Sequence, residues 1–559
     1  METTISTAGK KYGLILESMV SWLKTHTYYI LLLLLITVHL FGNVLWITLN
    51  NVPPTWDASL HTVLSIKFYE YVASHLTNFN FVDFLKISEY YPPFVHWVGA
   101  ILAWVGGENY KVVSFSGTIF FLLAIAFQFL LVKSVTKNSR VAIFAAFFFS
   151  FFLTNYQQSR DHMLDIPLTA LILLSLYFLQ KQKILLFFLF AALAFLTKWY
   201  AIVYLFIPFL SFLLETSRER QLVSSTLIKL SLGMLLFLLV AAPWYSVNFA
   251  RIFAITQKTS TAEFWNPQNL ISLGNLFFHL KLIIMFQTTF AGFLLFLISV
   301  LLLLVTKFRP KIALFLIITI IFNYLVFTAV PNKNIRYLIP LTPFFAMVMG
   351  LGIERILHRK NVLFTMFGLL VIPYYFLTYT ILSFGYPTYP DTKSTSNFAL
   401  IGWVDTFYLH TYPVNLLYRT TIAPYSKILA DVFSGSSGTV RVLILKDTVD
   451  LNNGTLDPYL YPVFKARWQD FNYVGYDLLE SSVSENQIDN FLNKNVDFVL
   501  VAVSHPGLRD YIREYDSLIR FQQFFLQNKA GQFDLIKKYE LPGNSYYPDD
   551  TLLLYKKRV

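Results

Sequence analysis

The chain has 559 residues, of which 56% are hydrophobic, 18% aromatic and only 14% charged, with a formal net charge of +12 and no cysteine. Soluble domains are about a quarter charged, so this composition excludes an ordinary soluble enzyme and also a disordered polar chain. The lack of cysteine removes disulfides, thiolate nucleophiles and Cys-ligated metals, and a mean hydropathy of +0.54 points to a polytopic α-helical membrane protein.

Eleven apolar runs follow one another at about 28–48, 112–132, 141–157, 163–180, 184–197, 200–214, 230–247, 282–306, 312–330, 337–353 and 361–384. A helix of about 20 apolar residues matches a bilayer core about 30 Å thick. The first run is longer than a signal-peptide core and has no small-residue cleavage site after it, so it reads as an uncleaved anchor. Basic residues mark alternate loops: Lys10, Lys11 and Lys24; Lys133, Lys137 and Arg140; Lys181 and Lys183; Arg218, Arg220 and Lys229; Lys307, Arg309 and Lys311; Arg355, Arg359 and Lys360. The positive-inside rule makes these loops cytoplasmic, with the N-terminus cytoplasmic and the C-terminus extracytoplasmic. Residues 1–390 carry 27 of the Lys and Arg against 13 acids, whereas residues 391–559 carry 17 against 19. The positive excess thus lies in short topogenic loops, and nucleic acid is not an expected partner.

The first outer loop, about 49–111, is long. Within it Leu60–Val72 has the apolar spacing of an amphipathic helix, and Phe94–Val105 is too short to span. Both are predicted as interfacial helices against membrane lipids. A second outer loop, about 248–281, carries Trp265-Asn266-Pro267. Residues 1–384 form the membrane module. Residues 385–559 read as a soluble extracytoplasmic α/β domain, with strands at Val440–Leu445 and Val496–Val503, helices at Asn486–Asn493 and Arg509–Phe525, closing strands at Phe533–Tyr539 and Thr551–Tyr555, and a glycosylation sequon at Asn453-Gly454-Thr455.

Eight acids fall on the outer side: Asp57, Glu70, Asp83, Glu89, Glu108, Asp161, Asp165 and Glu263. So do Arg160, Lys198, Lys333 and Arg336, at or near the ends of runs. Ionisable groups at membrane depth are costly and mark function. Asp57, after Pro53-Pro54-Thr55-Trp56, is a candidate general base or a helix cap. Glu89 precedes Tyr90-Tyr91-Pro92-Pro93, where the tyrosines also suit an aromatic belt. In Arg160-Asp161-His162-Met163-Leu164-Asp165 a helix starting at the arginine would put both acids on one face. A divalent cation is then a candidate ligand, with neutralisation of Arg160 by Asp165 and simple helix N-terminal placement as the alternatives. Lys198, in Leu196-Thr197-Lys198-Trp199, either holds an anion or snorkels to the interface. Arg336, in Asn334-Ile335-Arg336-Tyr337, can grip phosphate oxygens in bidentate fashion or, with Lys333, contact lipid headgroups.

These motifs, in this order, resemble the GT-C superfamily of membrane glycosyltransferases, in the branch of the protein O-mannosyltransferases and lipid A aminoarabinose transferases. The resemblance covers about residues 28–384. It rests on Asp57, Tyr91-Pro92-Pro93, Arg160 with Asp165-Ile166-Pro167, Leu196-Thr197-Lys198, Pro243-Trp244-Tyr245, and Arg336-Tyr337 with Pro340. It implies a sugar donor linked to polyprenyl phosphate, a lipid, glycan or protein acceptor hydroxyl, and inverting transfer on the outer face. It further implies that Asp57 is the base, that Asp165 is a second acid, and that Lys198, Arg336, Lys333 and Arg160 are donor-phosphate contacts. Glu89, Asp161, His162, Tyr91 and Tyr337 are candidate substrate or metal residues. The sequence departs from the branch at Trp199, where a glycine often stands, and at Tyr90-Tyr91-Pro92, where the aminoarabinose transferases have Glu-Lys-Pro. A transporter or flippase of lipid-linked glycans is the alternative, although such proteins place charges near the midplane in two related halves. A catalytically inactive scaffold is a third reading.

Overall fold

The computed structural model describes residues 2–218, 224–261, 271–358, 362–384, 424–434, 438–446, 455–463, 471–474, 485–503, 514–541 and 550–558. The Trp265-Asn266-Pro267 segment, Asn453 and Gly454 of the sequon, and residues 385–423 lie outside them. In chain order the helices of the first part are α1 (Glu2–Leu49), α2 (Trp56–Ser74), α3 (Phe81–Lys86), α4 (Phe94–Gly106), α5 (Tyr110–Thr136), α6 (Ser139–Phe151), α7 (Leu153–Gln158), α8 (Asp165–Gln180), α9 (Ile184–Phe195), α10 (Ala201–Arg218), α11 (Ser224–Thr261), α12 (Leu273–Leu282), α13 (Thr289–Thr306), α14 (Pro310–Ala329), α15 (Thr342–His358) and α16 (Val362–Phe384).

Seven stretches among the described residues are helical, long and apolar enough to cross a membrane: His26–Leu49, Tyr110–Thr136, Ala201–Arg218, Ser224–Gln257, Thr289–Thr306, Pro310–Ala329 and Arg336–His358. Shorter apolar helices occupy Phe94–Gly106, Ser139–Phe151, Asp165–Gln180, Ile184–Phe195 and Leu370–Phe384. The chain is a multi-pass membrane protein. Each expected run is helical in whole or in part, but two are interrupted. The 141–157 run breaks at Phe152, whose extended backbone (ψ 130°) separates α6 from α7. The 282–306 run holds the end of α12, a π-turn at Ile283–Gln287 and then α13, whose first residue Thr289 has φ +64°. The polar Gln287-Thr288-Thr289 step explains the break, because its hydroxyls bond to local backbone.

Helix α8 is only 16 residues long but buried along nearly all of its length, so protein rather than lipid covers it. Small residues let the inner helices approach closely. A Cβ at Gly350 of α15 would lie 2.9 Å from the Val141 carbonyl oxygen and 3.1 Å from the Ala145 nitrogen of α6.

The second part contains α17 (Tyr425–Ser434), β1 (Val440–Leu445), α18 (Asp457–Val463), β2 (Phe471–Val474), α19 (Glu485–Asn495), β3 (Phe498–Ala502), α20 (Glu514–Phe524), β4 (Phe533–Leu541) and β5 (Asp550–Lys557). The sheet runs β2-β1-β3-β5-β4, parallel across its first three strands and antiparallel across β3-β5-β4. Alternate β1 residues feed separate cores. Val440, Val442 and Ile444 meet α17 on one face, and Leu443 and Leu445 meet α19 and α20 on the other. Covering both faces accounts for the apolar runs Val442–Leu445 of β1 and Phe498–Ala502 of β3. Strand β2 has four residues and, among the described residues, pairs only with β1, too short a segment to stand out in the sequence. The two parts touch where Tyr461 of α18 packs among Val63, Ile66, Ala103 and Val113, donates a hydrogen bond to Glu70 and lies under Lys67.

Candidate active site

Asp57 occupies the first turn of α2, where a carboxylate also suits the helix dipole. Pro53 and Pro54 lead into it, and Trp56 takes φ +45°, an unusual conformation for a bulky residue. Asp165 is the first residue of α8, Lys198 lies in the turn between α9 and α10, and Arg336 is in a short 3-10 helix (Ile335–Leu341) before α15. Folding pairs them. Arg336 Nη2 lies 2.5 Å from Asp57 Oδ2, and Lys198 Nζ lies 2.7 Å from Asp165 Oδ1. The charges of Arg336 and Asp57 also act on Lys198, so both pairs share one site.

The pairs differ in their surroundings. The Asp165 side chain is fully buried and Lys198 is 12% exposed, whereas Asp57 and Arg336 are 35% and 20% exposed. Tyr200 adds a hydroxyl at 3.3 Å to Asp165 Oδ1, while Asp165 Oδ2 is buried with no hydrogen-bond partner. Burial pulls the Lys198 ammonium down from its ordinary range, against the opposing pull of Asp165. Arg336 is aimed by Asn334, whose side-chain oxygen accepts from the Arg336 backbone N–H at 3.0 Å and from Nε at 3.2 Å. Tyr337 points its hydroxyl at Asn332, 3.1 Å away, and its carbonyl accepts from Tyr204. The Tyr91 ring meets His61 edge-on at 4.6 Å. Burial, then the Asp57 charge, raises the Tyr91 pKa, which keeps its hydroxyl a donor.

Several expected site residues are engaged elsewhere. Lys333 donates to the Thr328, Val330 and Phe327 carbonyls at 2.7, 2.6 and 3.4 Å, capping the end of α14, and burial lowers its pKa to about 8. Arg160 is buried among the rings of Trp46, Tyr156, Tyr379 and Phe384 and donates to Asn43 and Ser383. It therefore serves as an internal brace between α1 and α16, and Asp165 pairs with Lys198 instead. Glu89, at φ +44°, makes an ion pair with Arg251 at 3.2 Å in which both side chains are about 60% exposed.

The expectation of Asp161 and Asp165 on one helix face fails, because α8 begins at Asp165 and Asp161 sits in the preceding turn. Burial raises the Asp161 pKa to about 6. His162 lies between Ser65 Oγ at 2.7 Å and Ser116 Oγ at 2.5 Å, so both ring nitrogens are occupied. Among the described residues no three His, Asp or Glu side chains form a group that could hold a metal ion. The candidate divalent cation thus has no such ligand group among the described residues.

Other members of the site were not anticipated: Tyr200, Tyr204, Asn334, and the polar stripe of α2. Asp57, His61 and Ser65 recur every fourth residue and share one helix face. His61 Nδ1 lies 3.0 Å from His96 Nε2, and Ser65 reaches His162. The i, i+4, i+8 spacing was the available signal. The Pro243-Trp244-Tyr245 motif frames the site from outside, with Trp244 Nε1 donating to Ser88 Oγ at 3.1 Å and the Tyr245 hydroxyl to the Phe195 carbonyl at 2.7 Å.

Residues 91–246 match the family described as dolichyl-phosphate-mannose-protein mannosyltransferase. No curated protein matches the chain in sequence. The structure is similar to the crystal structures of ArnT from Cupriavidus metallidurans in the apo state and bound to undecaprenyl phosphate. Each has a TM-score of 0.56 and 14% identity, with 93% of this chain and 97% of that one covered. A third match is the oligosaccharyltransferase of Archaeoglobus fulgidus tethered to an acceptor peptide, with a TM-score of 0.46, 14% identity and coverage of 86% and 69%. The chain thus has the fold of the GT-C glycosyltransferases and carries the signature of the mannosyltransferase family in the stretch that holds Tyr91, Asp165 and Lys198.

Proposed function

We propose that the protein is a glycosyltransferase that moves a sugar from a polyprenyl-phosphate donor to an acceptor hydroxyl on the outer face of the membrane, with inversion. One observation carries the reading. Two carboxylates and two cations, up to 279 residues apart in sequence, converge at the ends of apolar helices. The fold shared with a protein crystallised with undecaprenyl phosphate supports the donor class.

In the reaction the acceptor hydroxyl gives its proton to Asp57. Its oxygen bonds to the anomeric carbon as the bond from that carbon to the phosphate oxygen breaks, and polyprenyl phosphate leaves with the electron pair. Lys198 and Arg336 stabilise the charge that builds on the phosphate, and a water-poor site strengthens that effect. Asp165 holds Lys198 in place and keeps Oδ2 for a substrate hydroxyl. The positive loops set the N-terminus inside, which leaves residues 385–559 on the outer side.

The test supplies membranes containing the protein with labelled polyprenyl-phosphate sugars and follows product and released lipid. The expected result is one polyprenyl phosphate released per sugar transferred, with the anomeric configuration inverted. Folded protein that transfers from no donor, yet moves the lipid across the bilayer, would replace this reading with a flippase.

A further inference from the structure

We propose that Arg336 serves the base and the donor in turn: it holds Asp57 in the free enzyme and releases it when the donor phosphate takes the guanidinium. This inference rests on the glycosyltransferase reading and specifies its order of binding. With Arg336 Nη2 at 2.5 Å from Asp57 Oδ2, the oxygen that should accept the acceptor's proton is already occupied by a cation. A hydrogen-bonded guanidinium favours the charged carboxylate and makes it a weaker base.

The same guanidinium is oriented towards the site by Asn334, which accepts from its Nε rather than from its terminal nitrogens. Nη1 lies 3.9 Å from the Met163 sulfur, a weak acceptor against which a phosphate oxygen competes easily. A phosphate can bind the fork in bidentate fashion and brings more charge than one carboxylate oxygen. Donor and Asp57 therefore compete for one group, and the more exposed of the two ion pairs is the one that can exchange. The Lys198–Asp165 pair stays closed, since opening it would strand a buried carboxylate. The consequence is ordered chemistry, in which the acceptor is deprotonated only once the leaving group is seated.

The test measures binding of undecaprenyl phosphate to the full-length protein in lipid nanodiscs, for wild type, Asp57→Asn, Arg336→Ala and the double variant. Competition predicts that Asp57→Asn binds the lipid phosphate about 1.5- to 5-fold more tightly, as expected for loss of a partly exposed ion pair. It also predicts that this gain disappears when Arg336 is already alanine. Asp57→Asn binding equal to or weaker than wild type overturns the inference, as does a gain that persists undiminished without Arg336, which would mean simple charge repulsion. No binding of undecaprenyl phosphate by folded wild type would instead overturn the donor reading itself.

Discussion

The two ion pairs of the site have the same chemistry and opposite settings. Asp165–Lys198 is enclosed by α8 and the α9–α10 turn, while Asp57–Arg336 joins two segments at the edge of the outer loop and remains partly open. A buried pair resists disruption because each charge would be stranded without the other. A partly exposed pair contributes little to stability, so its members are available to substrates. Burial thus divides the four charges into a fixed half and an exchangeable half.

The strongest way to break this contrast is to remove one cation from each pair. Lys198→Met leaves a buried carboxylate alone and should cost about 3–5 kcal/mol of stability. Arg336→Met should cost about 1 kcal/mol or less. Thermal unfolding of both variants in matched lipid measures the difference, and equal losses would remove the distinction. The companion double variant Lys198→Met with Asp165→Asn should recover much of the stability and none of the transfer.

The spacing between the halves depends on His162, which ties Ser65 of α2 to Ser116 of α5 three residues before Asp165. Gly99 of α4 leaves room for that brace, since a Cβ there would fall 2.4 Å from Ser65 Oγ and 2.8 Å from His162 Cε1. Gly99→Ala should destabilise by about 1–3 kcal/mol and slow transfer, read as a lower melting temperature and kcat. The brace also sets a pH dependence. Burial lowers the His162 pKa from 6.5 to about 3. Below pH 6.5 the unfolded chain takes up a proton that the native state does not, so stability is complete above pH 6.5 and declines as the pH falls. The loss amounts to about 2 kcal/mol between pH 7 and pH 5. His61 and His96, lowered by burial in the same way, add to the slope, so His162→Gln should reduce it by its own share, and an unchanged slope would assign it to those other groups.

The smallest effect belongs to a third pair, Glu89–Arg251, whose side chains are about 60% exposed. Glu89→Ala should change the melting temperature by an amount equivalent to less than about 0.5 kcal/mol. Together the three pairs make stability loss a function of burial, a trend that Glu89→Ala would contradict by matching Lys198→Met.

Much of this was legible in the sequence, for identifiable reasons. Apolar length marked the helices, and ordered motifs singled out Asp57, Asp165, Lys198 and Arg336, four residues that the fold joins in two ion pairs, because ionisable groups beside apolar runs are conspicuous. The partners were not legible, since Asp57 meets a residue 279 positions away and only packing decides which cation it receives. The same gap misplaced Arg160 and Lys333. Both are cations on the outer side, yet one fills an aromatic cage and the other caps α14. The helix start at Asp165 rather than Arg160 was also hidden, and with it the separation of Asp161 from Asp165.

The most direct test of the account is sugar transfer by Asp57→Asn compared with wild type, in protein of matched folding and lipid content. The account predicts that transfer from a polyprenyl-phosphate sugar falls at least about 100-fold while the melting temperature stays close to that of wild type. Transfer at the wild-type rate would contradict it and would make Asp165, the second carboxylate of the site, the next candidate base.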